Sequence, residues 1–113
     1  MVSSNDPGIL FSIGLVKNRL GDKTGAINSY KKALELKPSY FEASFNLGNL
    51  YLALKRYDLA VLSLEKTVPL AGGEKRSRTL SSLGLAYLKS GKYELAEKSL
   101  LESINLDPRE WYK

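Results

Sequence analysis

A glycine recurs along this chain at a nearly fixed interval, and that interval limits the fold more than any other feature. Gly14 returns as Gly48 after 34 residues and as Gly84 after a further 36. Ala26, Ala60 and Ala96 keep the same two spacings, as do Ile13, Leu47 and Leu83, and Leu36, Leu70 and Leu106. Tyr51 pairs with Tyr87 and Tyr57 with Tyr93, while Pro38 and Pro108 lie 70 apart, the sum of the two periods. Self-similarity at such a period marks units that cannot bury an apolar face alone and must stack on their neighbours. Three units follow, about 7–40, 41–76 and 77–110, within one domain spanning 1–113. Two extra residues fall near Ala71-Gly72-Gly73-Glu74.

Inside each unit the pattern is helical. Leu47, Leu50, Tyr51 and Leu54 step by three and four residues along one helix face, and Leu59, Ala60, Leu64, Thr67 and Val68 do so along a second. Val, Ile and Thr are too scattered to make strands. Asp6-Pro7 reads as an N-cap followed by proline at the first helical position, where the missing N–H costs nothing. Gly21 and Gly91 stand where the first helix of a pair must turn, and Pro38 and Pro108 where the second must end. The expectation is all-α: three antiparallel helix hairpins stacked as a right-handed solenoid, plus the start of a C-terminal helix. In the second unit the later helix is expected to stop near Val68 or Pro69. Leu70–Glu74 would then form a loop, with the third hairpin still docked.

The chain has no Cys and no His. Thiolate nucleophiles, disulfides, imidazole bases and the usual zinc ligands are therefore out of reach. Glu94 and Glu97 neighbour each other on a helix near Lys98 and read as a solvated face. Asp107 and Glu110 read as helix capping around Pro108. No enzymatic activity, cofactor or metal is expected. The net charge of +5, from 17 basic and 12 acidic residues, favours an acidic partner. No apolar stretch reaches the roughly 20 residues that span a bilayer, and residues 1–7 lack the pattern of a secretion signal, so a cytoplasmic location is expected.

The second unit, Phe41-Glu42-Ala43-Ser44-Phe45-Asn46-Leu47-Gly48-Asn49-Leu50-Tyr51 followed by Tyr57-Asp58-Leu59-Ala60, closely resembles the tetratricopeptide repeat (TPR). The resemblance runs from Pro7 to Glu110. Leu10, Ser44 and Leu80 occupy the family's usual Trp site, Thr67 replaces a small apolar residue, and Gly72 replaces a proline. The family implies a protein–protein interaction module in which the first helix of each hairpin lines a concave groove. Carried onto this sequence, the lining is Phe11, Ser12, Leu15, Asn18 and Arg19, then Glu42, Phe45, Asn46, Asn49 and Leu52. The third unit adds Arg78, Ser81, Ser82, Leu85, Leu88 and Lys89. Exposed together, the Phe and Leu side chains would make an apolar patch, and Asn46 and Asn49 would meet a peptide backbone.

The family's carboxylate clamp for chaperone C-termini needs basic and Asn side chains where this chain has Phe11 and Leu15. Asn46 and Arg78 match the clamp, but Ser82 stands where a second basic residue belongs. The expected ligand is instead an apolar peptide or helix, with acidic character favoured. Lys75-Arg76-Ser77-Arg78 reads as a solvated loop rather than a nucleic-acid surface, because the tyrosines fall at packing positions. The alternative function is a structural, self-assembling segment of a larger TPR protein without its own ligand. Self-association through the last hairpin, with Trp111 and Tyr112 at the contact, is expected because a single turn after Asp107 is too short to cover Leu95, Leu100 and Ile104.

Overall fold

The computed structural model describes residues 5–106 and forms six α-helices among them. These are α1 (Pro7–Arg19), α2 (Lys23–Leu36), α3 (Phe41–Ala53), α4 (Tyr57–Thr67), α5 (Gly73–Lys89) and α6 (Tyr93–Leu106). The packing follows chain order: α1 on α2, α3 on α4 and α5 on α6 form hairpins, and α2 on α3 and α4 on α5 join them. The result is an elongated solenoid measuring 50 × 26 × 24 Å. The C-terminal helix start, the Asp107/Glu110 cap and the placement of Trp111 and Tyr112 lie outside the described residues.

The Asp6 cap acts as the sequence indicates, and Asp22 adds a second that the sequence reading did not single out. The Asp6 carboxylate accepts from the backbone N–H groups of Gly8 (2.8 Å) and Ile9 (3.2 Å), and Asp22 accepts from Gly25 (2.9 Å). The three hairpin turns share one geometry. Gly21, Lys55 and Gly91 all take left-handed φ, at 87°, 62° and 80°. Each donates its N–H back to the first helix, and the next residue reaches one carbonyl further, as Arg56 does to Tyr51 at 2.9 Å. The middle turn thus demands of a lysine what the others obtain from glycine.

The repeated glycines explain the hairpins' closeness. A Cβ on Gly14 would stand 2.5 Å from the Tyr30 ring, and one on Gly48 or Gly84 would stand 2.6 Å from Leu64 or Leu100. Two buried hydroxyl pairs hold the hairpins of the second and third units, and the first accounts for the departures at Ser44 and Thr67. Ser44 and Thr67 meet at 2.5 Å, and Thr67 also donates to the Ser63 carbonyl at 2.7 Å. Since that commits the Thr67 proton, Ser44 donates to Thr67. Ser77 and Ser103 donate to each other's backbone carbonyls at 2.9 and 2.7 Å. All four side chains are buried and satisfied, and Ser44, at the family's Trp site, is compensated by the Thr67 it faces.

The expected break after the second hairpin is shorter than Leu70–Glu74. The α4 helix ends at Thr67, Val68–Leu70 form a 3-10 turn, and α5 already begins at Gly73. Pro69 ends the α-helical ladder, and Gly73, with φ of 58°, redirects the chain within one residue. The two inserted residues and part of the linker are thus taken into α5, which has 17 residues against 13 in α1 and α3, and the third hairpin remains docked. A bond from the Tyr87 hydroxyl to Glu65 Oε2 ties α5 to α4.

Two outcomes follow. Lys55→Gly relieves the left-handed strain and should raise stability by roughly 0.5–1 kcal/mol, read as a higher urea midpoint at unchanged slope; a lower midpoint would contradict the shared turn geometry. Burial first, then the bond to Glu65, pushes the Tyr87 hydroxyl up to about 12 from 10.0. Between those values the folded chain keeps a proton that the unfolded chain releases, so this contribution is complete below pH 10 and fades as pH approaches about 12. Subtracting the alkaline stability profile of Tyr87→Phe from that of the wild type should isolate the decline, and identical profiles would refute it.

Candidate partner-binding groove

The groove positions lie at corresponding places on α1, α3 and α5, the first helices of the hairpins. Their inward faces are used by the small-residue and leucine stripe, which leaves these positions toward solvent to differing degrees. Leu15, Leu85 and Leu88 are exposed, at 38%, 43% and 46%. Phe11, Phe45 and Leu52 are instead half-buried and packed against the core. The expected apolar patch therefore divides into open leucines and anchored aromatics.

The anchoring partners are specific. The Phe11 ring lies 5.7 Å from Tyr30 and 5.2 Å from Tyr40, bridging the first hairpin and the entry to α3. Phe45 stacks on Phe41 at 5.4 Å, one turn along α3. Over this pair lie two cations from α5: Lys75 above Phe41 at 5.3 Å and Arg78 above Phe45 at 5.4 Å. Lys75 also pairs with Glu42 at 3.3 Å. Hydrogen bonding to its own backbone, and then Lys75, holds the Glu42 carboxyl below its ordinary range. Arg78 is exposed and has no carboxylate partner among the described residues.

The basic run Lys75-Arg76-Ser77-Arg78 is therefore not a loop but the first turns of α5, as the left-handed Gly73 starts the helix early. Helical geometry splits the run, sending Ser77 into the core and Lys75 and Arg78 over the aromatic pair. Sequence reasoning placed Arg78 in the groove but missed Lys75 and Phe41. Their spacing, three residues before Arg78 and four before Phe45 along the same helices, was the available signal.

The carboxamides are partly occupied. Asn46 donates to the Glu42 carbonyl at 2.8 Å and Asn49 to that of Phe45 at 3.1 Å, bonds in which their side-chain oxygens take no part. Asn18 accepts from Lys23 Nζ at 2.6 Å, which fixes it to the first hairpin turn. Lys89 is exposed at the end of α5. Among the described residues, no cluster of acidic side chains has the makings of a metal site, and no helix is long and apolar enough to cross a membrane.

This division has a measurable consequence. Phe11→Ala removes packing against two rings and should cost about 2–3 kcal/mol, whereas Leu88→Ala, at a side chain 46% exposed, should cost under about 1 kcal/mol. Equal losses in chemical denaturation would show that both serve the core alike.

Comparison with known proteins places the chain. A TPR-repeat family model matches residues 14–55, and a tetratricopeptide-repeat model matches residues 40–109. The chain is 32% identical over 93% of its length to the anaphase-promoting complex subunit cut9 of Schizosaccharomyces pombe. It spans 16% of that protein, and a fifth or less of the curated relatives it matches. Among solved structures it resembles MamA (41-end) from Desulfovibrio magneticus RS-1, with TM-score 0.82 and 34% identity, covering 93% of this chain and 58% of that one. The first TPR of Spaghetti (RPAP3) bound to an HSP90 peptide shares the fold at TM-score 0.82 and 24% identity, with 95% of this chain and 83% of that one covered. With the glycine period, the hairpins and these matches agreeing, the chain belongs to the tetratricopeptide-repeat family, whose repeats are protein–protein interaction modules.

Proposed function

We propose that this module binds a polypeptide segment along the face formed by α1, α3 and α5, with apolar side chains of the ligand set against the open leucines. The observation that carries the reading is the pairing of three exposed leucines, Leu15, Leu85 and Leu88, with an exposed arginine held over Phe45. An arginine stacked on a ring keeps its N–H fork free for a carboxylate at small entropic cost. A suitable ligand is thus an amphipathic peptide or helix with aliphatic anchors and at least one acidic group. The net charge of +5 favours the same partner. The peptide-bound state of the Spaghetti TPR supports a polypeptide ligand in general terms. The clamp seen from the sequence as incomplete stays incomplete, since Phe11 and Leu15 supply no basic group.

Because Phe11 and Phe45 also hold the fold, the test uses the open positions. A Leu15→Asp/Leu85→Asp/Leu88→Asp variant should lose the proteins that the wild type captures. A control at exposed leucines of α4, away from the first helices, Leu59→Asp/Leu62→Asp, should keep them. Retention by both would defeat the groove reading and favour an assembly segment without its own ligand. Capture should weaken only modestly with added salt but drop on Arg78→Glu; a steep salt dependence would point to phosphate contacts instead.

A further inference from the structure

The two ends of the stack carry faces that match one another. Along α1, Ile9, Ile13, Val16 and Leu20 form a stripe at helical spacing, exposed at 42%, 40%, 57% and 77%. The repeat register makes Ile13 and Val16 the counterparts of Leu47 and Leu50 on α3 and of Leu83 and Ala86 on α5. Those four residues are buried, where α2 docks on α3 and α4 docks on α5. The α1 stripe therefore has the composition and placement of a surface that receives the second helix of a hairpin.

At the other end, α6 is the second helix of the last hairpin. It exposes Leu101 (54%) and Leu100 (37%), whereas the counterparts of Leu100, Tyr30 and Leu64, are fully buried. Charge distinguishes this pair of faces from the internal junctions. The position filled by buried Ile27 and Val61 in the earlier hairpins holds Glu97 in α6. The position filled by Tyr51 and Tyr87 holds Lys17 in α1. The internal bond from Tyr87 to Glu65 shows which places meet across a junction. By that register Lys17 meets Leu101, and Glu97 stands one helical turn away. A lysine stem lying on Leu101 with its ammonium near Glu97 satisfies both groups, so the terminal faces are complementary in charge as well as apolar.

We propose that the Ile9–Leu20 face of α1 receives α6 of a second copy, so that copies join head to tail and the solenoid continues across the contact. A single such contact leaves one face of each kind open, and association should therefore proceed beyond the dimer as concentration rises. The inference is independent of the groove, which lies on other positions of the first helices.

Sedimentation velocity across low micromolar to near-millimolar concentration tests it. Val16→Asp and Leu101→Asp each change an exposed side chain, so circular dichroism melts should match the wild type. Each variant alone should lose self-association by about tenfold or more. An equimolar mixture of the two should form a dimer and nothing larger, because one intact face of each kind remains. Lys17→Glu and Glu97→Lys should each weaken assembly, and the doubly exchanged chain should recover it. A wild type that stays monomeric throughout overturns the proposal. So does Leu101→Asp assembling as well as wild type, which would mean that α1 faces pair with each other.

Discussion

The hairpins close on a contact between a glycine and a bulky side chain. Gly14 faces Tyr30, Gly48 faces Leu64, and Gly84 faces Leu100, each at a distance that a methyl group could not share. Dispersion attraction needs surfaces in direct contact, so the absent Cβ lets the second helix of each hairpin sit against the backbone of the first. Ala26, Ala60 and Ala96 keep the opposing helix slim near the same crossing. The solenoid repeats this contact.

Close helix approach also governs the polar interior. Ser44, at the site of the family's large aromatic, reaches Thr67, and in the third unit Ser77 and Ser103 interlock between α5 and α6. Small hydroxyl pairs suit a narrow gap because each donor finds an acceptor without forcing the helices apart. Among the described residues the Tyr30 hydroxyl is the exception: it is buried with no hydrogen-bond partner. Its ring is nevertheless positioned by Gly14 on one side and by Phe11 on the other. Packing there outweighs a polar atom left alone, a cost of about 1–3 kcal/mol that the surrounding contacts must offset.

The outward groove face is shaped by the same geometry. The middle first helix, α3, has a unit on either side in the stack and its own hairpin partner behind it, so one strip of its surface stays open. What fills that strip differs between units: Leu15 beside an anchored Phe11, Phe45 roofed by Arg78, and Leu85 with Leu88. The extra turn of α5 matters because it brings Lys75 within reach of Glu42 and Phe41 across the unit boundary. An insertion that looks like an interruption of the repeat thus furnishes one side of the candidate site with cations.

The sequence alone determined the elements and their count. Period, glycine placement and prolines are local signals, and local backbone preference is what they encode. Gly21 and Gly91 announced their turns, yet Lys55 did not, because its left-handed conformation is imposed by the carbonyls of Leu52 and Tyr51 and by docking on both sides rather than by its own preference. The candidate lining could be located by register, but not sorted into open and anchored side chains. Phe11 is held by Tyr40 from the entry to the next hairpin, and Phe45 is covered by Arg78 from two helices later. Gly73 shows the limit most clearly: two adjacent glycines read as a loop, whereas one left-handed residue in the folded chain starts α5 at once. Contacts between residues distant in sequence decided these points, since side-chain exposure is a property of neighbours that only the stacked helices bring together.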